Sequence, residues 1–290
     1  MEWKADWGLR GRMVLTMFLL FALYIVFVGV LVAVMDAGVT TILLMVGLFS
    51  LGQYYFSDTL ALKSMGARTV DESDYPDLHR MTERLCQQAD LPKPKVAIAD
   101  SRTPNAFATG RNQKNATVCV TTGLLRALNE DELEGVIAHE LAHIKNRDVM
   151  VMTIASFLST VAFIIVRWGW LMGGNNRNAA PVWAAVLVSL VVWVVSFLLI
   201  RALSRYREYA ADRGAALITG KPAALASALA TISNRMDRVP TEDLRDQAEM
   251  NAFFIIPINK GFIAQFARTH PSTEDRIERL QGLQREMEFA

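Results

Sequence analysis

Four long runs of residues without a charged side chain constrain this chain more than any other feature of its sequence. They cover residues 13–35, 37–57, 149–166 and 179–200. A helix needs about 20 apolar residues to cross the hydrocarbon core of a bilayer. The run at 149–166 is at the lower limit of that length, and a buried core helix is its alternative. The runs predict four transmembrane helices, arranged as two hairpins because the connections at 36–38 and 167–178 are short.

Basic residues near the ends of the runs predict the orientation of these hairpins. No Lys or Arg lies at 36–38, and only Arg167 and Arg177 lie in the second connection. Lys and Arg accumulate on the cytoplasmic side of membrane proteins. We therefore expect both termini and residues 58–148 to be cytoplasmic. The basic residues on that side are Lys4, Arg10, Arg12, Lys63, Arg68, Lys145, Arg147, Arg201, Arg205 and Arg207.

The overall composition excludes several other classes of protein. The chain is 52% hydrophobic and 20% charged, with 30 basic and 29 acidic residues, which disfavours a disordered or nucleic-acid-binding polypeptide. Its two cysteines, Cys86 and Cys119, cannot form a disulfide framework or a thiol metal site. In the polar segment before the third run, alternating apolar residues at 95–99 and 116–121 predict short strands, with a weaker candidate at 103–109.

One short motif combines residue types that bind a metal ion and transfer protons. His139-Glu140-Leu141-Ala142-His143 has the H-E-x-x-H pattern, which places two imidazoles on one face of a helix within reach of a single metal ion. Glu140 lies between them, close enough to take a proton from an attacking water molecule. The alternative is a helix whose two histidines are exposed or held by structural hydrogen bonds.

A catalytic metal site needs a third protein ligand, and the remaining histidines are few. Only His79 and His270 are left, so a carboxylate is a strong candidate. Glu208 and Asp212 stand four residues apart on the predicted helix that follows the fourth run, where one can bind the metal while the other orients a ligand imidazole. Because the second hairpin returns the chain to the side that it left, this helix and the H-E-x-x-H helix should meet at the cytoplasmic membrane surface.

Three stretches, at 132–148, 204–212 and 270–280, resemble the membrane-bound zinc metalloproteases of the HtpX heat-shock type, which are relatives of the CAAX prenyl endopeptidases. The resemblance covers essentially the whole chain. It implies one Zn²⁺ per chain, held by His139, His143 and Glu208, with Glu140 as the general base.

The resemblance also implies roles for residues around the metal. Asn146 and Asp212 would orient the ligand histidines, and His270 would stabilise the tetrahedral oxyanion. The stretch Asn105, Ala106, Phe107 and Ala108 would be an edge strand to which an extended peptide substrate adds.

Together these features predict a mainly α-helical integral membrane protein with four transmembrane helices and a cytosolic zincin-like catalytic domain carrying a small β-sheet. We expect an N-terminal hairpin at 1–57, a first catalytic half at 58–148, a second hairpin at 149–200 and a second catalytic half at 201–290. The implied function is a zinc endopeptidase of the bacterial inner membrane that degrades misfolded or damaged membrane proteins.

Three other functions fit parts of the pattern. An intramembrane protease would carry its metal motif within a span, whereas charged residues surround this one. A CAAX prenyl endopeptidase shares the chemistry but is expected to be longer, with more spans. A scaffold with a structural metal would fill four ligand positions and would have no use for Glu140.

Overall fold

The computed structural model describes residues 7–35, 38–173, 180–236 and 271–289. Within these ranges the chain forms two compact units, each assembled from separate stretches. One contains the described residues of Tyr55–Val149 and Arg207–Ala290, and the other contains those of Ala5–Tyr54 and Met150–Tyr206. The polar segments on either side of the second apolar pair thus belong to the same unit.

The chain is mostly helical, with a small mixed sheet. The helices are α1 Trp7–Met35, α2 Gly38–Ser64, α3 Pro76–Ala89, α4 Thr122–Ala127, α5 Glu130–Lys145, α6 Asp148–Gly173, α7 Ala180–Thr219, α8 Pro222–Met236 and α9 Thr273–Glu288. The strands are β1 Ala67–Thr69, β2 Lys95–Ala99, β3 Ala106–Gly110 and β4 Ala116–Thr121.

Two of the described helices are long and apolar enough to cross a membrane. These are Trp7–Leu31 and Val182–Thr219, and α6 adds a third if its two parts, which meet at a bend of 40°, count as one span. The structure therefore supports a membrane protein with two or three spans among the described residues. The second run, at 37–57, is helical as part of α2, but the four-span arrangement stays a prediction.

The apolar unit has a packed interior and an apolar outer surface. Leu20 and Phe27 of α1 are buried with Val161 of α6, and the Tyr24 hydroxyl donates a hydrogen bond to the Ala155 carbonyl at 2.7 Å. Other large side chains of α1, such as Phe18 and Phe21, are exposed. An exposed apolar surface of this kind is what a lipid bilayer covers.

The sheet has the order β1-β2-β4-β3, with β2 and β4 parallel and both outer pairs antiparallel. The predicted strands at 95–99 and 116–121 coincide with β2 and β4, and the weaker candidate forms β3 at 106–110. β3 lies at one edge of the sheet, and α5 packs against it.

Helix α5 is fixed at its N-terminus by its own cap and by α8. The Asn129 side chain accepts from the Glu132 N–H, and the Glu132 carboxylate accepts from the Asn129 N–H. The same carboxylate accepts hydrogen bonds from Ser227 at 2.6 Å and from Thr231 at 3.2 Å. A capping box satisfies two backbone donors, and here it also joins two helices.

Gly135 lets α5 and α8 approach closely, which generates a test of this packing. A Cβ atom at Gly135 would lie 3.1 Å from the Leu225 Cα. Because that neighbour is a backbone atom of α8, a side chain at Gly135 would have to displace the helix itself. We expect Gly135→Val to lower the free energy of unfolding by about 1–3 kcal/mol, measured by urea titration of the full chain in detergent.

Gly282 is the matched control for that substitution. It lies in α9, and a Cβ there would meet nothing within 4 Å. Gly282→Ala should raise the stability by up to about 1 kcal/mol because alanine has the higher helix propensity. Equal effects of both substitutions would contradict the close approach at Gly135.

Candidate metal centre

The two histidines of the H-E-x-x-H motif lie one turn apart on α5 and point toward the same place. Their Nε2 atoms are 3.1 Å apart, and their rings meet edge to face with centroids 4.6 Å apart. His139 is buried and His143 is partly buried. The helical spacing thus brings the imidazoles together as the sequence predicts.

Glu208 of α7 completes a group of three possible metal ligands. Its Oε2 lies 3.6 Å from His139 Nε2, and its Oε1 lies 3.5 Å from His143 Nε2. Two ligands bound at about 2.1 Å to a tetrahedral ion are about 3.4 Å apart. The three measured separations therefore match the spacing that one tetrahedral ion requires.

His139 is oriented by a carboxylate and a guanidinium. Its Nδ1 lies 3.0 Å from Asp212 Oδ1, and Arg276 holds Asp212 through contacts of 2.9 Å and 2.7 Å to the two carboxylate oxygens. Arg276, which is only 1% exposed, also lies 3.5 Å from Glu208 Oε2. Burial acts to lower the pKa of Arg276, but the Asp212 and Glu208 carboxylates outweigh it and raise that pKa.

His143 is oriented in the same way by a different pair. Its Nδ1 lies 2.5 Å from Asp148 Oδ2, and Arg207 Nε lies 2.8 Å from Asp148 Oδ1. The family resemblance implies that Asn146 orients a ligand histidine. In the structure Asp148 makes the contact with His143, whereas Asn146 ends α5, where its backbone N–H donates to the Ala142 carbonyl.

These contacts decide what can lie between the three ligand atoms. A carboxylate accepts hydrogen bonds, so the protons of both imidazoles belong on Nδ1, facing Asp212 and Asp148. Both Nε2 lone pairs then face each other and the Glu208 carboxylate. Three acceptors at this distance repel one another unless a metal ion lies among them or one imidazole takes up a second proton. The residues present therefore fit a bound metal ion.

The buried charges around the histidines give the same result independently. Among the described residues around the histidines, four carboxylates are buried and two guanidinium groups face them, so these groups leave two negative charges if both imidazoles are neutral. One divalent cation balances them. The groups are Glu140, Asp148, Glu208 and Asp212 with Arg207 and Arg276.

The remaining predicted residues lie in three places. Glu140 is buried on α5 between the two histidines. Asn105 is buried just before β3, where its N–H donates to Thr121 Oγ1 at 2.9 Å, and Ala106 to Ala108 form the first part of β3 itself. His270 lies outside the described residues.

Asp148 and Arg276 are the residues that sequence reasoning missed. Both lie in the stretches that carry the family resemblance, at 132–148 and 270–280, but neither has a local signal of its role. Asp148 precedes an apolar run and is explained as a helix-capping charge, and Arg276 lies in the first turns of a polar helix. Only their burial against partners distant in sequence distinguishes them.

Two histidines one helical turn apart, a glutamate between them and a third carboxylate define the class of metallopeptidases. Residues 72–284 match the sequence profile of Peptidase family M48. The chain belongs to that family and is a metalloprotease.

Similar proteins from several organisms cover almost the whole chain. It is 56% identical over 291 residues to Protease HtpX homolog 2 of Methanosarcina mazei, a match that covers 99% of both chains. It is 53% identical over 295 residues to Protease HtpX homolog of Moorella thermoacetica, covering 98% of this chain and 97% of that protein. Protease HtpX homolog 1 of Streptomyces coelicolor is 48% identical over 293 residues, with coverage of 99% and 96%.

A solved structure shares the fold at low sequence identity. The crystal structure of S. mikatae Ste24p superposes with a TM-score of 0.57 and 17% identity, covering 89% of this chain and 62% of that chain. The chain thus spans less than two thirds of the length of that protein. The likeness confirms the fold, and the sequence comparisons confirm the resemblance to the HtpX type.

The environment of His139 predicts that metal binding releases a proton. Burial acts to lower the pKa of His139, but the hydrogen bonds to Asp212 and Glu208 outweigh it and raise that pKa to about 9. A metal ion binds only the neutral ring, so protons compete with it below that pH. We expect metal affinity to rise as the pH rises toward 9, with about one proton released per ion at neutral pH.

Titration calorimetry in two buffers of different ionisation enthalpy measures that proton. His79→Ala is the control, since His79 is buried elsewhere and its Nε2 bonds the Val70 carbonyl. This variant should bind metal and release a proton as the wild type does. Metal affinity that is independent of pH would contradict the prediction.

Proposed function

We propose that this chain is a zinc-dependent endopeptidase of the cytoplasmic membrane, with its active site on the cytosolic side. The observation that carries the proposal is the convergence of His139, His143 and Glu208, with Glu140 buried beside them. Its substrates would be polypeptides, and in particular misfolded or damaged membrane proteins.

The donor set favours zinc. Two imidazole nitrogens and one carboxylate oxygen are the ligands of many catalytic zinc sites, which keep a fourth position open. When bound, zinc polarises the scissile carbonyl and lowers the pKa of a water molecule in the open position toward ~7. Asp212 and Asp148 keep the lone pairs of both imidazoles aimed at the ion by accepting their Nδ1 protons.

Glu140 then performs the proton transfers. Its carboxylate takes a proton from the attacking water and delivers that proton to the leaving amine. His270 is proposed as the donor to the oxyanion that develops on the scissile carbonyl. Both roles rest on the family resemblance, and the burial of Glu140 between the ligands supports the first.

An extended substrate has a place to add at β3. This strand lies at the edge of the sheet as far as the structure describes the chain, and α5 packs against it. A peptide that hydrogen-bonds to Asn105–Ala108 would extend the sheet by one strand. It would then run beside the helix that carries His139 and Glu140.

Three observations support the proposed location and substrates. The chain has at least two helices of spanning length, basic residues flank its apolar runs on one side, and its relatives are named proteases of the HtpX type. The relatives include archaeal as well as bacterial proteins, so the similarity supports a prokaryotic cytoplasmic membrane rather than a bacterial one in particular.

Replacing Glu140 tests the proposal. We expect Glu140→Gln to bind zinc as the wild type does but to cleave casein at least about 10²-fold more slowly, because general-base catalysis is lost. Zinc content by elemental analysis and fluorescence release from labelled casein are the measurements. Glu278→Gln, an exposed change on α9, is the control and should cleave at the wild-type rate.

The other functions predict different outcomes of the same assay. A prenyl endopeptidase would cleave a prenylated peptide and leave casein intact. A structural metal site would show zinc without any cleavage that a chelator inhibits. Undiminished proteolysis by Glu140→Gln would remove Glu140 from the mechanism.

His270 generates a separate prediction. His270→Ala should retain zinc at wild-type affinity and reduce kcat by about 10²–10³-fold, the typical effect of removing one oxyanion donor. The same zinc analysis and casein assay measure both quantities. Loss of zinc from this variant would instead make His270 a metal ligand.

A further inference from the structure

We propose that Arg207 is a positioning residue of the metal centre, which fixes the ligand His143 through the carboxylate of Asp148. This inference rests on the proposed function, since it assigns a role toward the same metal. Arg207 does not touch the ligand; it acts on the group that orients it.

The Asp148 carboxylate lies between a cation and a ligand. One oxygen is 2.5 Å from His143 Nδ1, and the other is 2.8 Å from Arg207 Nε. Asp148 is 2% exposed. A carboxylate buried to that degree needs a cationic partner, and Arg207 supplies that positive charge from a different helix.

The backbone before Asp148 brings its carboxylate back to His143. Helix α5 ends at Lys145, and Arg147 adopts a φ of 57°, in the left-handed region that residues other than glycine rarely occupy. Helix α6 begins directly after this residue, and its first residue, Asp148, contacts His143 in the last turn of α5. The turn places the Asp148 carboxylate but leaves its second oxygen to be held by Arg207.

The position of Arg207 in the chain gives the contact a further consequence. Arg207 immediately precedes Glu208. Neighbouring residues of α7 therefore supply the third proposed ligand and the contact that holds Asp148 against the second, His143. Asp148 and Arg207 also stand at the two points where residues 150–206 leave and rejoin the unit that holds the site. One ion pair therefore closes that insertion and orients a ligand.

Removing the guanidinium tests the proposal in the full chain in detergent. We expect Arg207→Met to weaken zinc affinity by about 10- to 100-fold, the usual effect of losing a group behind a metal ligand, as measured by competition with a chromophoric chelator. Arg207→Lys keeps the charge and should recover most of that affinity. Arg205→Met is the matched control, since Arg205 is exposed on the same helix two residues away, and it should bind zinc as the wild type does.

A double-mutant cycle with Asp148→Asn separates a role through Asp148 from a general loss of stability. If Arg207 acts through Asp148, Arg207→Met should weaken zinc affinity less than about twofold once Asp148→Asn is present. The full 10- to 100-fold loss in that background would overturn the proposal.

Cobalt substitution gives a readout that does not depend on activity or on the methionine variant folding. The visible absorption of bound Co²⁺ reports ligand geometry, so the bands of Arg207→Lys should shift from those of the wild type while those of Arg205→Met should not. Identical spectra for Arg207→Lys and the wild type would overturn the inference. A wild-type protein that binds neither zinc nor cobalt would overturn the proposed function itself.

Discussion

The repulsion among three closely spaced acceptors is the constraint on which the rest of the site depends. The two Nε2 atoms and the Glu208 carboxylate oxygens lie 3.1–3.6 Å from one another. A metal ion among them, or a second proton on His139, relieves that repulsion. The need to hold these lone pairs in place explains the orientation of both imidazoles. It also explains the two aspartates that contact the imidazoles and the two arginines that contact the aspartates.

The surrounding fold supplies the rigidity that this arrangement needs. Helix α5 carries two of the proposed ligands and the proposed general base, and its N-terminal half is fixed by the Glu132 hydrogen bonds to α8 and by the close approach at Gly135. A helix held this firmly along one face cannot rotate to relieve repulsion at its other end. The free energy of packing α5 against α8 and the sheet therefore holds the acceptors close together, and in the absence of metal a second proton on His139 relieves their repulsion.

Sequence patterns predicted the features that depend on local spacing. The H-E-x-x-H pair, the strands at 95–99 and 116–121 and the carboxylates at Glu208 and Asp212 all follow from helical or strand periodicity. The family resemblance implies an orienting role for Asn146, whereas in the structure Asp148, which follows the left-handed residue Arg147, contacts His143. Arg276 was missed because its partner Asp212 lies on another helix, and spacing along the chain carries no record of such pairs.

Inserting residues 150–206 between the two halves of the metal site costs less loop-closure entropy than the length of the insertion indicates. Loop-closure entropy rises only with the logarithm of loop length, by about 0.6 kcal/mol for each doubling, so joining His143 to Glu208 across a long segment costs little more than across a short one. The larger requirement is that both ends of the insertion meet at a fixed separation. The Asp148–Arg207 ion pair satisfies this requirement where the insertion begins and ends, and the residues at its two ends are for that reason the same ones that orient a proposed metal ligand.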